Sequence, residues 1–533
     1  MSSSTRRIVL LLVLVLVIIV RYLHHHGPQA AHAPSGSASA SALSSGLSSA
    51  PASAPSSVDV LQIGALQLQR CEIGRRGLGG IGTAPAYCTR FDVPEDWDAP
   101  AGRHIALRVA IVRSSALRSD TDPVVFLDGG PGGAASEDYP AIAPALAPLR
   151  QRRDILLIDQ RGTGASNALG CSTDGAVDRP PEPIGQPPDL SARVQLVQRC
   201  LAAVRAHAAP EHYTTSDAIR DLEAIRLALG APRLNLIGIS YGTRVAQQYA
   251  ARYPGAVRSV VLDSVVPNTL ALGNDHARNL ERVLHSLFAR CSAEQRCKES
   301  FGDPYATLYR LRDRLRAQPQ SLTVRDPSDY QPLQLQLSAA DLGAIVRINA
   351  YNPITAALLP LTLDQADHGN YAPLVSQKKW LSDDLGSELT GGMELSVVCS
   401  EDADLLRARP EDAATLLGNE QIVNIQSACS AWPRGTRPAD FHQPFVSALP
   451  VLILAGQYDP VTPPSYAAEL QTTLSDARVL LAPGQGHAVI GSGCLPRLVS
   501  EFVDNLNPGT LDDRCLQQLG DIPAFIDFNG AAP

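Results

Sequence analysis

The chain has 533 residues, 45% hydrophobic and 18% charged, which is a globular composition too rich in apolar side chains for a disordered protein. Lys and Arg total 45 against 53 Asp and Glu, a net charge of −8, with no basic stripe, and this argues against a nucleic-acid partner. No repeat of 20 to 50 residues is visible, which sets aside solenoids and propellers; the length fits about three domains, or one large α/β domain with a big insertion.

Residues 1–33 read as a secretory signal peptide. Arg6 and Arg7 precede an unbroken apolar run from Ile8 to Val20, and Ala31-His32-Ala33 matches an A-x-A cleavage pattern. The run is shorter than the roughly 20 residues needed to span a bilayer. A periplasmic or secreted product with no stable membrane partner is therefore expected, with an uncleaved anchor as the alternative. Residues 34–58 are almost entirely Ala, Ser, Pro and Gly, a composition that forms a flexible tether. His24 to His26 belong with the leader rather than with a metal site.

All ten cysteines follow the leader, and an even count in an exported chain points to disulfides. Pairing of sequence neighbours is the expectation: Cys71 with Cys88, Cys171 with Cys200, Cys291 with Cys297, Cys399 with Cys429, and Cys494 with Cys515. A zinc site lacks any C-x-x-C or H-E-x-x-H spacing to support it.

From Pro123 to His487, short apolar runs alternate with helix-length amphipathic stretches, the pattern of a mostly parallel central sheet flanked by helices. Strands are predicted at Val124 to Leu127, Ile155 to Ile158, Leu234 to Ile239, Val257 to Leu262, Val451 to Ala455 and Arg478 to Leu481. Functional groups collect at the C-terminal ends of such strands. There stands Gly238-Ile239-Ser240-Tyr241-Gly242, between an apolar strand and the helical stretch Thr243 to Arg252. A G-x-S-x-G turn of this kind holds its serine exposed on a strained strand-to-helix elbow. The Tyr241 N–H at the helix start then faces developing negative charge. Upstream, Asp128-Gly129-Gly130-Pro131-Gly132-Gly133 follows another strand, and the Gly130 N–H is a candidate second oxyanion donor. A serine nucleophile needs a base and an orienting acid. Asp459 and His487 follow in that order, each in a loop after a predicted strand.

The segments Gly129-Gly130-Pro131-Gly132, Asp159-Gln160-Arg161-Gly162, Gly238-Ile239-Ser240-Tyr241-Gly242, Gly456-Gln457-Tyr458-Asp459 and Gly486-His487 resemble those of the secreted bacterial proline iminopeptidase and tripeptidyl aminopeptidase family of α/β-hydrolases. The resemblance runs from about Asp59 to Asn529 and includes a C-terminal part similar to the family's tripeptidyl-aminopeptidase-like segment. It implies an α/β-hydrolase fold and a serine peptidase releasing residues from free peptide N-termini. Asp128 stands where proline iminopeptidases usually carry His, which shifts the expectation from proline-only specificity toward the broader aminopeptidase branch.

The domain organisation expected is a hydrolase core at 59–267, a large, mainly helical cap at 268–445 inserted before the Asp459 strand, and a closing core segment at 446–533. Helices are predicted in the cap at Ala277 to Arg290 and Pro304 to Leu315. An aminopeptidase must bind an α-ammonium group, which calls for carboxylates in a desolvated pocket. Glu401 and Asp402, just after Cys399, are candidates, and Glu394 is a third. The alternative for Glu401 and Asp402 is local: Ser400 as the N-cap of a helix from Asp402 to Arg407, with acids in its first turn. Asp159 and Arg161 read as a structural pair in a turn, and His276 and His285 as surface or packing residues. The function expected is an exported serine aminopeptidase acting on peptides with a free N-terminus through Ser240, His487 and Asp459, without metal or organic cofactor. An esterase or lipase of the same fold, or a noncatalytic binding protein on the same frame, is the rival; oligomeric state stays open.

Overall fold

Four strands build the N-terminal side of the sheet: β1 (Val60–Ile63), β2 (Leu66–Arg75), β3 (Gly82–Pro94) and β4 (His104–Val112). In β2, Leu66 and Leu68 are buried while Gln67 and Gln69 face solvent, the period-two pattern of a sheet with one wet face. The computed structural model describes residues 60–75, 82–170, 190–325, 330–377 and 391–531. The leader, the tether and Cys171 lie outside the described residues.

The six predicted strands form the rest of the sheet, as β5 (Val124–Leu127), β6 (Ile155–Ile158), β7 (Leu234–Ile239), β8 (Val257–Asp263), β11 (Val451–Gly456) and β12 (Ala477–Ala482). Strand order is β1-β2-β3-β4-β6-β5-β7-β8-β11-β12. The pairs among these six are parallel, and β6 joins the antiparallel β1–β4 unit through β4. Both faces of the parallel part are covered, so its strands read as continuous apolar runs. Leu236 and Val260 point into one core with Ile219, Leu222 and Ile225 of helix α2 (Thr215–Leu229) and Val245 and Tyr249 of α3 (Tyr241–Arg252). Their neighbours Ile237 and Val261 point into the other, against Tyr139 and Leu146 of α1 (Ala135–Arg150) and Leu498 and Phe502 of α10 (Leu495–Asn505). Helix α2 is bounded as its sequence demands: Thr214 accepts from the Asp217 N–H at the start, and Gly230 closes it with φ 67°.

Between β8 and β11 the chain leaves the sheet. Helices α4 (His276–Ala293), α5 (Pro304–Ala317), α6 (Ala339–Asn349) and α7 (Pro353–Asp367) share a core of their own that includes Leu280, Phe288, Leu308, Leu342, Ile345 and Leu359. The two predicted helices appear as α4 and α5, each slightly longer than expected. An antiparallel ribbon of β9 (Gln320–Arg325) and β10 (Pro332–Leu337) was not expected from the sequence. Helices α8 (Gly391–Glu401) and α9 (Glu420–Cys429) follow. One local expectation is corrected. Ser400 caps no helix start; it lies in the last turn of α8, and its hydroxyl accepts the Gly435 N–H. Tertiary contact overrides the capping pattern there.

Disulfides join Cys71 to Cys88, Cys291 to Cys297, Cys399 to Cys429 and Cys494 to Cys515. Among the described residues no helix is long and apolar enough to cross a membrane.

Candidate active site

The elbow between β7 and α3 holds Ser240 at φ 53°, ψ −122°, a backbone region that side-chain-bearing residues seldom adopt and that surrounding structure must impose. Close packing explains the flanking glycines. A Cβ on Gly242 would lie 2.1 Å from the Leu127 carbonyl oxygen, and one on Gly238 2.4 Å from that of Gly242. The Gly129-Gly130 loop lies directly over the elbow, since a Cβ on Gly129 would approach the Ser240 Cβ to 3.3 Å and its Oγ to 3.9 Å. Tyr241 opens α3, so its N–H belongs to the free first turn of a helix. The structure thus brings Ser240, Tyr241 and the Gly129 backbone to one place, with Gly130 next in the chain.

Asp459 and His487 meet in the loops after β11 and β12. His487 Nδ1 is 2.8 Å from Asp459 Oδ2. The Asp459 carboxylate also accepts the N–H groups of Val461 and Thr462, both at 2.8 Å, and the Thr462 hydroxyl at 2.7 Å. Burial alone would raise its pKa, but His487 and these donors pull it below the usual carboxylate range. An ionised acceptor directs the neutral imidazole to keep its proton on Nδ1, leaving Nε2 as the base. Burial presses the His487 pKa down; the charge and hydrogen bond of Asp459 overcome this and hold it above 6.5. The His487 N–H donates to the Tyr351 carbonyl at 2.8 Å, and the Tyr351 ring stands edge-on to the imidazole. No hydrogen bond joins Ser240 to His487; catalytic contacts of this kind often tighten only around bound substrate.

The three acidic candidates separate. Glu401 is buried and accepts the Thr215 N–H at 2.6 Å and the Thr215 hydroxyl at 2.9 Å; that hydroxyl is 2.7 Å from the Tyr241 hydroxyl. Burial pushes the Glu401 carboxyl up to about 8. Asp402, wholly buried, takes Arg244 Nη1 on both oxygens at 2.9 and 3.2 Å. The expectation that either receives an ammonium group is therefore corrected: their lone pairs already tie α8 to α2 and α3. Glu394 differs. It lines a cavity of about 380 Å³ between α6, α8 and α9 with Arg347, Leu395, Val398 and Ile425. Its side chain is exposed to solvent. It makes no hydrogen bond or ion pair among the described residues.

Arg347 joins this cavity to the surroundings of His487, since its Nη2 is 3.2 Å from both His276 Nδ1 and the hydroxyl of Tyr351, whose ring meets the imidazole. Burial, helped by Arg347, lowers the His276 pKa to about 3, so His276 is neutral. The sequence reading missed Arg347 and Tyr351, for which nothing local distinguishes a ligand from a helix-surface residue. It also missed Asp263, whose place at the end of a buried apolar strand was a usable signal. Asp159 and Arg161 are absorbed by the scaffold: Asp159 accepts from Ser136 and Ala165, and Arg161 pairs with Asp221 at 2.6 and 2.7 Å.

An acid, a base and a strained serine at neighbouring strand ends define the arrangement of a serine hydrolase. A sequence model of the alpha/beta hydrolase fold matches residues 122–493, and the chain belongs to that family. Serine protease Hip1 of Mycobacterium tuberculosis is 26% identical over 454 residues, covering 78% of this chain and 85% of the relative. Tripeptidyl aminopeptidase of Streptomyces lividans is 32% identical over 194 residues, 34% of this chain and 36% of that protein. Carboxylesterase B of Mycobacterium tuberculosis is 25% identical over 468 residues, covering 80% and 85%.

Proposed function

We propose that this serine hydrolase is an exported aminopeptidase cleaving near the free N-terminus of peptides. Ser240 attacks the scissile carbonyl while its proton passes to His487 Nε2. Asp459 orients the imidazole and stabilises its charged form, and the N–H groups of Tyr241 and Gly130 receive the oxyanion. Collapse breaks the C–N bond as His487 returns the proton to the leaving amine. Water then releases the acyl group by the same steps in reverse order. The segment 268–445 acts as the lid over the strand ends. The disulfides seen among the described residues and the leader-like N-terminus support export to the periplasm or medium.

The observation that carries the peptidase reading is the open Glu394 carboxylate in a cavity linked through Arg347 and Tyr351 to His487. An exposed carboxylate without a hydrogen-bond partner at the edge of an open, partly apolar cavity offers a contact for a substrate ammonium group. Turnover of free and N-acetylated peptide arylamides, one to three residues long, tests this with Ser240→Ala as blank. A charge-assisted contact of about 1.5 to 3 kcal/mol corresponds to a preference for the free amine of roughly tenfold to a hundredfold. The similarity to a carboxylesterase over most of the chain favours one second reading, an ester hydrolase; equal rates on free and acetylated substrates, or activity on simple esters alone, would establish it instead.

A further inference from the structure

We infer that Asp263, the last residue of β8, is a positioning residue that locks the nucleophile elbow and the His487 loop to one another; this rests on the triad reading above. Strand β8 lies between β7 and β11, so its end faces the loops of both. The Asp263 carbonyl accepts the Ser240 N–H at 2.9 Å. Its carboxylate, wholly buried, accepts the Val489 N–H at 3.0 Å and the Ile490 N–H at 2.7 Å, the two amides that follow closely on His487. Ser264 extends the clamp: its N–H donates to the Leu454 carbonyl of β11 at 3.0 Å, and its hydroxyl accepts the Ala488 N–H at 2.8 Å.

The backbone at these points has an unusual feature in common. Ser240, Ser264 and Ala488 have φ of 53°, 58° and 62°, where side-chain-bearing residues are uncommon and persist only when neighbours over-determine them. One dipeptide, Asp263-Ser264, supplies hydrogen bonds at all three. A neutral acceptor would serve two amides equally well, and a buried charge without a partner is costly. Asp263 has no ion-pair partner among the described residues. The group placed to balance it is the imidazolium that forms when Ser240 gives up its proton. Burial lifts the Asp263 carboxyl to about 6, so it is ionised where His487 works as a base. The groups facing His487 are Asp459 after β11, Asp263 on β8, Arg347 and Tyr351 at the end of α6, and His276 on α4. Arg282 of α4 reaches the Asp459 carbonyl.

The test measures kcat, KM and the pH dependence of kcat/KM on a peptide arylamide for Asp263→Asn, Ser264→Ala and Ser240→Ala, each checked for folding by circular dichroism. Asp263→Asn removes a negative charge near His487, so the acidic limb moves to lower pH; kcat falls roughly tenfold to a hundredfold, since a small misplacement of a catalytic group is enough for that, while KM stays within about twofold. Ser264→Ala lowers kcat and leaves the limb in place. Wild-type kcat in Asp263→Asn, or a lowered kcat with an unmoved limb, overturns the inference. If Asp263→Asn does not fold, Ser264→Ala decides: reduced kcat at unchanged KM supports the clamp, and wild-type kcat overturns it. Activity surviving in Ser240→Ala sinks the triad reading itself, whereas an inactive Ser240→Ala beside an unaltered Asp263→Asn removes only the role of Asp263.

Discussion

The strand ends and the inserted helices treat their charged groups differently. At the strand ends three carboxylates are held by the fold: Asp459 takes three donors besides His487, Asp263 takes two amides, and Asp159 takes donors from Ser136 and Ala165. In the cavity between α6, α8 and α9, Glu394 has no such donors among the described residues, and the hydrogen bonds of Arg347 go to the neutral His276 and the Tyr351 hydroxyl. A carboxylate whose lone pairs are filled by the fold holds a neighbour in place. One whose lone pairs are open is available to a ligand. The same contrast recurs within α8, where Glu394 at one end is open and Glu401 at the other is fully engaged.

The largest effect should come from the strand ends. Ser240→Ala should lower kcat by about four orders of magnitude or more without changing the melting temperature appreciably, because it removes the nucleophile and little else. Asp459→Asn should come close behind, near ten-thousandfold, since the amide cannot fix the imidazole tautomer that the carboxylate does. Retention of substantial turnover by either variant, measured on a peptide arylamide, would break the assignment of chemistry to this region.

A pair of substitutions on and beside α8 separates holding from binding. Asp402→Asn leaves Arg244 buried without its counter-charge, for a loss of about 3–5 kcal/mol of stability, read by chemical denaturation. Glu394→Gln should leave stability within about 0.5 kcal/mol, yet lower kcat/KM on free peptides roughly tenfold to a hundredfold and leave N-acetylated substrates unchanged. If Glu394→Gln destabilises and Asp402→Asn erases the preference for free amines, the two roles are reversed.

The strand ends that carry Ser240, Asp459 and His487 were legible because each joined a local pattern to an apolar strand. Gly238 to Gly242 carries its geometry in its own glycines, and Asp459 and His487 each follow a run of apolar residues. Strand β2 escaped because it alternates, as Leu66-Gln67-Leu68-Gln69 does, while the strands sought were continuous apolar runs. Asp263 was overlooked although it ends its strand as plainly as Asp459 closes its own. The acidic residues of α8 could not be sorted from sequence at all. Glu394 and Glu401 lie about two turns apart on a similar helix face, and what separates them is that Thr215 and Arg244 come from distant segments to meet only one.

The smallest predicted effect probes the held end of α8 through pH. Burial raises the Glu401 carboxyl to about 8, far above its ordinary value near 4.5, so the folded chain keeps a proton there that the unfolded chain gives up. With fewer protons bound in the unfolded state, stability falls as pH rises: the favourable contribution is complete below about 4.5 and is lost as pH climbs through about 8. Glu401→Gln mimics the protonated acid and cannot ionise, so it should match wild type near pH 4 and become progressively the more stable of the two as pH climbs from about 4.5 to about 8. A difference on the order of 1 kcal/mol corresponds to about 2–4 °C for a sizeable domain, within reach of a melting series at fixed ionic strength. Parallel pH profiles for the two proteins would mean that Glu401 is ionised throughout, drawing on Arg244 as Asp402 does. The α8 end would then be held by a shared charge cluster rather than by one ion pair and one neutral acid.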